Sequence, residues 1–253
     1  MLWGVYDAPG RGRPGLTGGE DMGDLRSIIR RIHLFADLDE GDQARLEEGA
    51  RHLKLKKGAS LFHCGDEADG FYYVIQGCVK LTLFAPGGGE KVVEIIREGM
   101  TFGEAVMFAG KPYPVTSQAV SETHLLFLSR DPVLRCIEQR PGFALRMLTG
   151  ISRRMHGLVH DIETYSLCSA LQRVVGYLLN EIEPEGAHES ICALRLPTNK
   201  SVLASRLNLT PETLSRVLRN LSEKSLIEVS GRQVVIRDIR RFVQFAEQSG
   251  RLL

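Results

Sequence analysis

Residues 198–213 read TNKSVLASRLNLTPET, and residues 214–221 continue LSRVLRNL; this stretch decides the reading of the chain. Thr198 is a candidate N-cap for a first helix that carries Val202, Leu203 and Leu207 on one face. Asn208 stands where the chain must turn sharply, and Asn tolerates a left-handed backbone. Thr210-Pro211-Glu212-Thr213 then opens a second helix, with Thr as its cap and Pro at the first helical position, where no amide donor is needed. Leu214, Val217, Leu218 and Leu221 recur at helical spacing and define an inner face. Glu212, Ser215, Arg216 and Arg219 are left on the outer side. A helix-turn-helix places such residues in the major groove: Arg216 can fork onto guanine O6 and N7, and Glu212 can accept from a cytosine amino group. The plainer alternative is a helical hairpin with a solvated charged face.

Two β-branched runs follow, Leu226-Ile-Glu-Val and Gln233-Val-Val-Ile, joined around Ser230-Gly231-Arg232. A hairpin behind a helix-turn-helix is a wing, with Arg232 at its tip in reach of a phosphate. Thr198, Lys200, Thr213 and Arg232 join Glu212, Ser215, Arg216 and Arg219 as the expected DNA contacts. Between Thr198 and Phe245 stand nine basic residues (Lys200, Arg206, Arg216, Arg219, Lys224, Arg232, Arg237, Arg240, Arg241) against four acids (Glu212, Glu223, Glu228, Asp238). This local excess inside a chain of net charge +1 suits a module that grips phosphates.

The 253 residues allow two domains, and 43% hydrophobic with 25% charged content is ordinary for a globular chain. No run of about 18 apolar residues occurs, so no membrane span is expected. The glycine- and arginine-rich start, MLWGVYDAPGRGRPGLTGGE, reads as a disordered tail over 1–22, with Met22 an alternative start of translation. Five scattered cysteines without CxxC spacing argue against a disulfide framework or an iron–sulfur cluster and for a reducing cytoplasm.

From Leu53 to Ser129 short strands alternate with glycine corners: Leu61-Phe62, Phe71–Ile75, Val79–Phe84, Lys91–Ile96 and His124–Leu128. Leu25–Ile32 and Gln43–Ala50 read as short helices before them. After Pro141 comes a long helix in which Leu148, Ile151, Met155, Leu158, Ile162 and Tyr165 step by three and four, a seam that wants an identical partner. An amphipathic helix packed on its own β domain is the competing reading. Ser166–Ser169 would be a hinge and Ala170–Glu181 the next helix.

This order resembles the cyclic-AMP receptor protein/fumarate–nitrate reductase regulator (CRP/FNR) superfamily from about Leu25 to Phe245. The matching residues are Lys57-Gly58, Gly65-Asp66, Phe71–Gly77, Phe102-Gly103-Glu104 and Pro211–Arg216. The resemblance implies an α+β chain: an antiparallel β-roll of the cyclic-nucleotide-binding kind (23–140), a dimerisation helix (141–166) and a winged helix-turn-helix (167–253). It implies a homodimeric transcription factor with double-stranded DNA and RNA polymerase as partners, not an enzyme. The Glu-x-x-Ser-Arg helix is similar to the fumarate–nitrate reductase branch and implies an inverted repeat of the TTGAT…ATCAA kind. Two recognition helices would then sit about 34 Å apart, repositioned by an effector through a coupling of about 1–3 kcal/mol.

Cyclic AMP is not expected. Glu104 stands where the family keeps its ribose ligand, but the phosphate-holding Arg and its hydroxyl partner align with Pro114 and Val115. The adenine-holding pair falls near Leu158 and Val159. A buried phosphate without a cation costs several kcal/mol, roughly, unless Lys111 reaches it. The dissimilatory nitrate respiration regulator (DNR) group resembles this chain in Gly103–Phe108, Gln118-Ala119-Val120 and Asp161–Leu167. That likeness implies nitric-oxide sensing through haem and control of anaerobic or denitrification genes. The expected effector pocket comprises Glu104, Met107, Phe108, Tyr113, Pro114, Val115, Leu158 and Val159, with Pro112 alongside. His33 is the first candidate haem ligand, while His156 and His160 sit off the seam; Arg206 replaces the group's other candidate. Two further readings compete: a cupin-type metalloenzyme built on His63 and His124, and a DNA-binding protein without a ligand, regulated by abundance or by oxidation at Cys64.

Overall fold

The computed structural model describes residues 25–32, 35, 38–85, 88–182, 191–196 and 199–248. His33 and Thr198 lie outside them, as do residues 1–24. Two short helices, α1 (Leu25–Arg31) and α2 (Glu40–Glu48), lead into β1 (Ala50–Leu55). The expected helix over Gln43–Ala50 therefore starts earlier and stops earlier. Asp39 caps its N-terminus by accepting from the Asp42 amide, and Gly49 closes it, which frees Ala50 to begin a strand.

The β domain continues through β2 (Ser60–Phe62), β3 (Gly70–Gln76), β4 (Cys78–Phe84), β5 (Glu90–Arg97), β6 (Thr101–Phe102), α3 (Glu104–Ala109), β7 (Thr116–Ala119) and β8 (Thr123–Ser129). All five expected strands are present. β1, β6 and β7 were not anticipated, because mixed polar runs such as ARHLKL and TSQA lack an apolar block. The strands form two four-stranded antiparallel sheets, ordered β1-β8-β3-β6 and β2-β7-β4-β5.

β8 shows why the domain holds. Its first six residues are all buried, as befits a strand covered on both faces. Leu125 and Phe127 face the core between the sheets, with Phe62, Val74, Ile96 and Phe102. Leu126 and Leu128 face a second core built from α1, α2 and the helices that follow, including Ile29, Phe35, Leu46, Val133, Phe143 and Met147. Each such side chain removed from water contributes about 1.5–3 kcal/mol. At the β3–β4 corner Gly77 has φ 95°, and a Cβ there would stand 2.5 Å from the Glu122 carbonyl, so only glycine fits.

After β8, α4 (Arg130–Gln139) is an unpredicted helix that docks Val133 and Cys136 in the second core. Burial pushes the Cys136 thiol up to about 11. Then α5 runs 27 residues, Pro141–Leu167. The hinge shrinks to Cys168-Ser169, because α6 (Ala170–Asn180) starts at once with a Ser169–Gln172 capping box. β9 (Cys192–Arg195), α7 (Lys200–Arg206), α8 (Pro211–Glu223), β10 (Glu228–Ser230), β11 (Gln233–Ile236) and α9 (Ile239–Gln248) complete the chain.

The wing is a three-stranded sheet, β10-β11-β9, rather than a lone hairpin. Leu226 and Ile227, expected in its first strand, lie before it as buried core residues. The turn between α7 and α8 has the predicted left-handed residue, Asn208 at φ 56°. Asn208→Gly is expected to leave stability nearly unchanged. Asn208→Val, a β-branched residue forced to positive φ, is expected to lose about 1–3 kcal/mol in denaturant unfolding.

Candidate nucleic-acid interface and the joint behind it

Helix α7 is capped by Asn199, whose side chain accepts from the Val202 amide at 2.9 Å; Asn199, not Thr198, is the residue that does this. The Leu209 amide returns to the Ala204 carbonyl at 2.8 Å and fixes the turn. Thr210 caps α8 as expected, accepting from the Thr213 amide at 3.2 Å. Leu214, Val217, Leu218 and Leu221 are buried against α6 and α7, sharing a core with Val174, Leu178 and Leu203. The opposite face presents Glu212, Ser215, Arg216 and Arg219, all exposed. The backbone amide of Glu212 and the Thr210 side chain hold the Glu212 carboxyl below the usual carboxylate range, so it remains an acceptor. Lys200 is half-buried, and Arg232 is exposed at the wing tip.

The basic patch is smaller than the count of nine suggests. Arg237 is held by Glu228, with Nη2 to Oε2 at 3.0 Å. Arg206 turns away to meet Asp161 of α5 at 2.6 Å. Arg195, which sequence reasoning missed, is added by β9, where it pairs with Gln233 beside Arg232 and stays exposed.

A second feature was not legible in the sequence: α7 docks on the β domain. β5 is the edge of its sheet, and an edge strand has amides to spare. The Val92 amide donates to Ser205 Oγ at 2.9 Å, and the Lys91 ammonium donates to the Ser205 carbonyl at 2.6 Å. Val202 packs against Cys78, Val92 and Ile95. Further along β5, Arg97 forks onto Glu181 at 2.5 and 2.7 Å and reaches the Tyr177 hydroxyl at 3.0 Å. Burial raises the Tyr177 phenol well above its usual value.

Tyr165, expected in the dimer seam, belongs to this joint instead. Its hydroxyl donates to the Arg206 carbonyl and accepts from the Arg206 guanidinium. Lys91 sits 4.7 Å over its ring. Arg173 of α6 closes the joint by donating to the carbonyls of Tyr165 at 2.7 Å, Cys168 at 3.0 Å and Asn208 at 3.0 Å. Burial, then Arg206, pulls the Lys91 amine down to about 8.

The expected effector residues lie in several surroundings. Met107 is sealed in the second core, beside half-buried Phe108. Tyr113 stacks on Phe62 at 3.7 Å between ring centroids. Pro112, Pro114 and Lys111 are exposed, Val115 half-buried, and Val159 61% exposed. Glu104 is buried, but Arg154 of α5 occupies it, at 2.9 Å to Oε1, and also reaches Glu94 at 3.2 Å. Its other oxygen, Oε2, has no hydrogen-bond partner. Of the eight, only Leu158 lines the cavity beneath α5, together with Glu94, Met100 and Arg206. His156 is exposed with Nδ1 2.9 Å from the Ser152 carbonyl oxygen, and His160 lies 3.7 Å from Glu163. The cupin reading needed His63 beside His124; instead His124 stacks on His52, and His63 faces Asp66.

The seam residues Leu148, Met155, Leu158 and Ile162 are 40–66% exposed on α5, joined by Leu145 and Val159. Ile151 is half-buried. Among the described residues no helix is long and apolar enough to cross a membrane.

Residues 52–140 match the model of the cyclic nucleotide-binding domain, and residues 172–245 that of the Crp-like helix-turn-helix domain. The nitrogen fixation regulation protein FixK of Rhizobium meliloti is 31% identical over 68% of this chain and 75% of its own length. The chain belongs to the CRP/FNR family of transcriptional regulators. Another CRP/FNR relative, the CRP-like cAMP-activated global transcriptional regulator of Mycobacterium tuberculosis, is 24% identical over 88% of this chain and all of its own. The crystal structure of DNR from Pseudomonas aeruginosa is 35% identical, covering 90% of this chain and 100% of that one at a TM-score of 0.47.

The joint carries a pH dependence whose sign follows from Lys91. Undocked, the amine has its ordinary value of 10.5; docked, it sits near 8. Below pH 8 the lysine is charged in both states and docking bears the full cost of burying it. Between about pH 8 and 10.5 the docked state gives up its proton first, so docking strengthens as pH rises. Energy transfer between fluorophores on the β domain and on α9 is expected to increase from pH 7 to 9.5, and Lys91→Met is expected to flatten that slope. A slope that persists in Lys91→Met removes Lys91 as its origin.

Proposed function

We propose that this CRP/FNR regulator works as a homodimer that reads an inverted repeat of the TTGAT…ATCAA kind in double-stranded DNA, in the cytoplasm and in contact with RNA polymerase. The observation that carries the reading is the outward face of α8. Glu212, Ser215 and Arg216 stand exposed within its first two turns, on a helix whose cap, turn and core are all satisfied. Arg216 offers a bidentate fork to guanine, Glu212 an ionised acceptor to cytosine, and Ser215 a short hydroxyl between them. Arg219, Thr213, Lys200, Arg195 and Arg232 add phosphate contacts, with Thr198 next to the cap.

The apolar stripe of α5 supports the two-fold arrangement. Four seam residues left 40–66% exposed are costly as a free surface, and a second α5 alongside covers them. Two-fold symmetry then matches the symmetry of an inverted repeat.

An effector acts through the β domain. Cyclic AMP is a poor fit, since Pro114 and Val115 supply no cation and Glu104 is already ion-paired to Arg154. The Gly103–Phe108 and Asp161–Leu167 segments support kinship with the DNR group, and with it the regulation of anaerobic or denitrification genes. With that kinship goes nitric-oxide sensing through haem: haem added during anaerobic purification is expected to give a Soret band that shifts with nitric oxide, and no uptake with operator binding intact removes the gas-sensor reading.

Arg216→Ala is expected to lose about 1–3 kcal/mol on the TTGAT repeat and to relax preference at the guanine, as read by competition binding. Equal weakening on every sequence makes Arg216 a phosphate contact instead. Ile162→Glu is expected to give monomers in sedimentation and to abolish binding to the full repeat. A dimer that survives this change places the interface elsewhere.

A further inference from the structure

The carboxyl end of α7 is received by side chains from three other elements. The Ser205 carbonyl accepts from Lys91 of β5 at 2.6 Å, the Arg206 carbonyl from the Tyr165 hydroxyl of α5, and the Asn208 carbonyl from Arg173 of α6 at 3.0 Å. Carbonyls at a helix C-terminus lack partners within the helix, so these side chains complete bonding that α7 leaves open. Arg173 does more than its neighbours. Its Nη1 serves the end of α7, while Nη2 donates to the Tyr165 carbonyl at 2.7 Å and Nε to the Cys168 carbonyl at 3.0 Å, in the last turn and at the cap of α5. One guanidinium thus closes two helix ends.

Charge and shape both favour arginine there. The negative ends of the α5 and α7 dipoles meet at this point, and a cation beside them is favourable. The guanidinium is planar, with five N–H donors in a fixed fork, so it sets the angle between the groups it holds; a single rotatable donor sets only a distance. The backbone cannot set that angle alone. Between α5 and α6 only Cys168 and Ser169 intervene, both extended, and each contributes two soft dihedrals. Helices α6, α7 and α8 share one core, with Val174, Leu203 and Leu218 buried together. Any rotation about the break carries all three, and Arg173 ties them back to the helix they leave.

We propose that Arg173 is a positioning residue that sets the spacing of the two half-sites the dimer reads, by fixing the angle between α5 and the DNA-reading motif. With recognition helices about 34 Å apart, moving each by about 1.7 Å along the duplex changes the best spacing by one base pair. A loose joint therefore costs spacing discrimination before it costs base recognition. Glu212, Ser215 and Arg216 lie on α8, and the hydrogen bonds of Arg173 go to carbonyls outside that helix. Half-site spacing has meaning only on the homodimer and inverted-repeat reading above; the strut between α5 and α7 does not depend on it.

The test compares full-length wild type, Arg173→Met and Arg173→Lys on TTGAT…ATCAA duplexes whose spacer has the best-bound length or is changed by one or two base pairs. Arg173→Met is expected to narrow the preference for the best spacer by about tenfold and to keep the wild-type preference for guanine in each half-site. Arg173→Lys keeps the charge at the helix ends but offers one nitrogen for both, and is expected to narrow the preference as well. A folded variant that keeps the wild-type spacing profile overturns the proposal, and so does uniform weakening at every spacing. If Arg173→Met does not melt cooperatively, Arg173→Lys decides by the same two outcomes. Without DNA, the distance between spin labels on α5 and α9 is expected to form one narrow distribution in wild type and a broad one in both variants; equal widths overturn the strut. Broadening together with a wild type that ignores every inverted repeat supports the strut and removes the inverted-repeat reading.

Discussion

The structure depends on one helix having to satisfy three surroundings. Over its first turns α5 buries Phe143 and Met147 in the core shared with α1, α2 and α4. Further along, Arg154, Asp161 and Tyr165 turn toward the β domain and the joint. The remaining face, with Leu148, Met155, Leu158 and Ile162, is apolar and open. A rigid helix cannot rotate one face without moving the others. A displacement of the β domain against α5 is therefore felt both at the open apolar stripe and at the joint that holds α7.

Electrostatics make the joint adjustable rather than permanent. Apolar contact between α7 and β5 is slight, with Val202 against Val92 and Ile95 as its centre. Most of the rest is ionic or polar: Lys91 to Ser205, Arg206 to Asp161, Arg97 to Glu181. Partly exposed pairs of this kind are individually weak and sensitive to salt and protonation. A domain held by several of them keeps its own core, from Val174 to Phe242, independent of the neighbour it rests on.

The recognition helix was legible because its signals are local. Thr210, Pro211 and the Leu214–Leu221 spacing act within three or four residues, and Asn208 acts on its own backbone. The strongly apolar strands were legible for the same reason. β1 and β7 were not, since ARHLKL and TSQA become strands only by pairing with β8 and with β2 and β4. Tyr165 misled because the three-four spacing does not say which neighbour claims a residue at the end of a seam. The partner of Glu104 was hidden similarly: nothing near Glu104 in sequence announces Arg154, 50 residues on.

Alone, the sequence determined the kinds of element, the turn of the DNA-reading motif and the cap of its second helix, the apolar run that buries β8 and the presence of an apolar stripe on α5, because each follows from residues close together along the backbone. Tertiary structure decided what those elements rest against. Lys91 and Ser205 stand 114 residues apart, and no periodicity couples positions at that distance. Only the closure of two sheets, which leaves β5 as an edge, and the short break at Cys168-Ser169 bring them together.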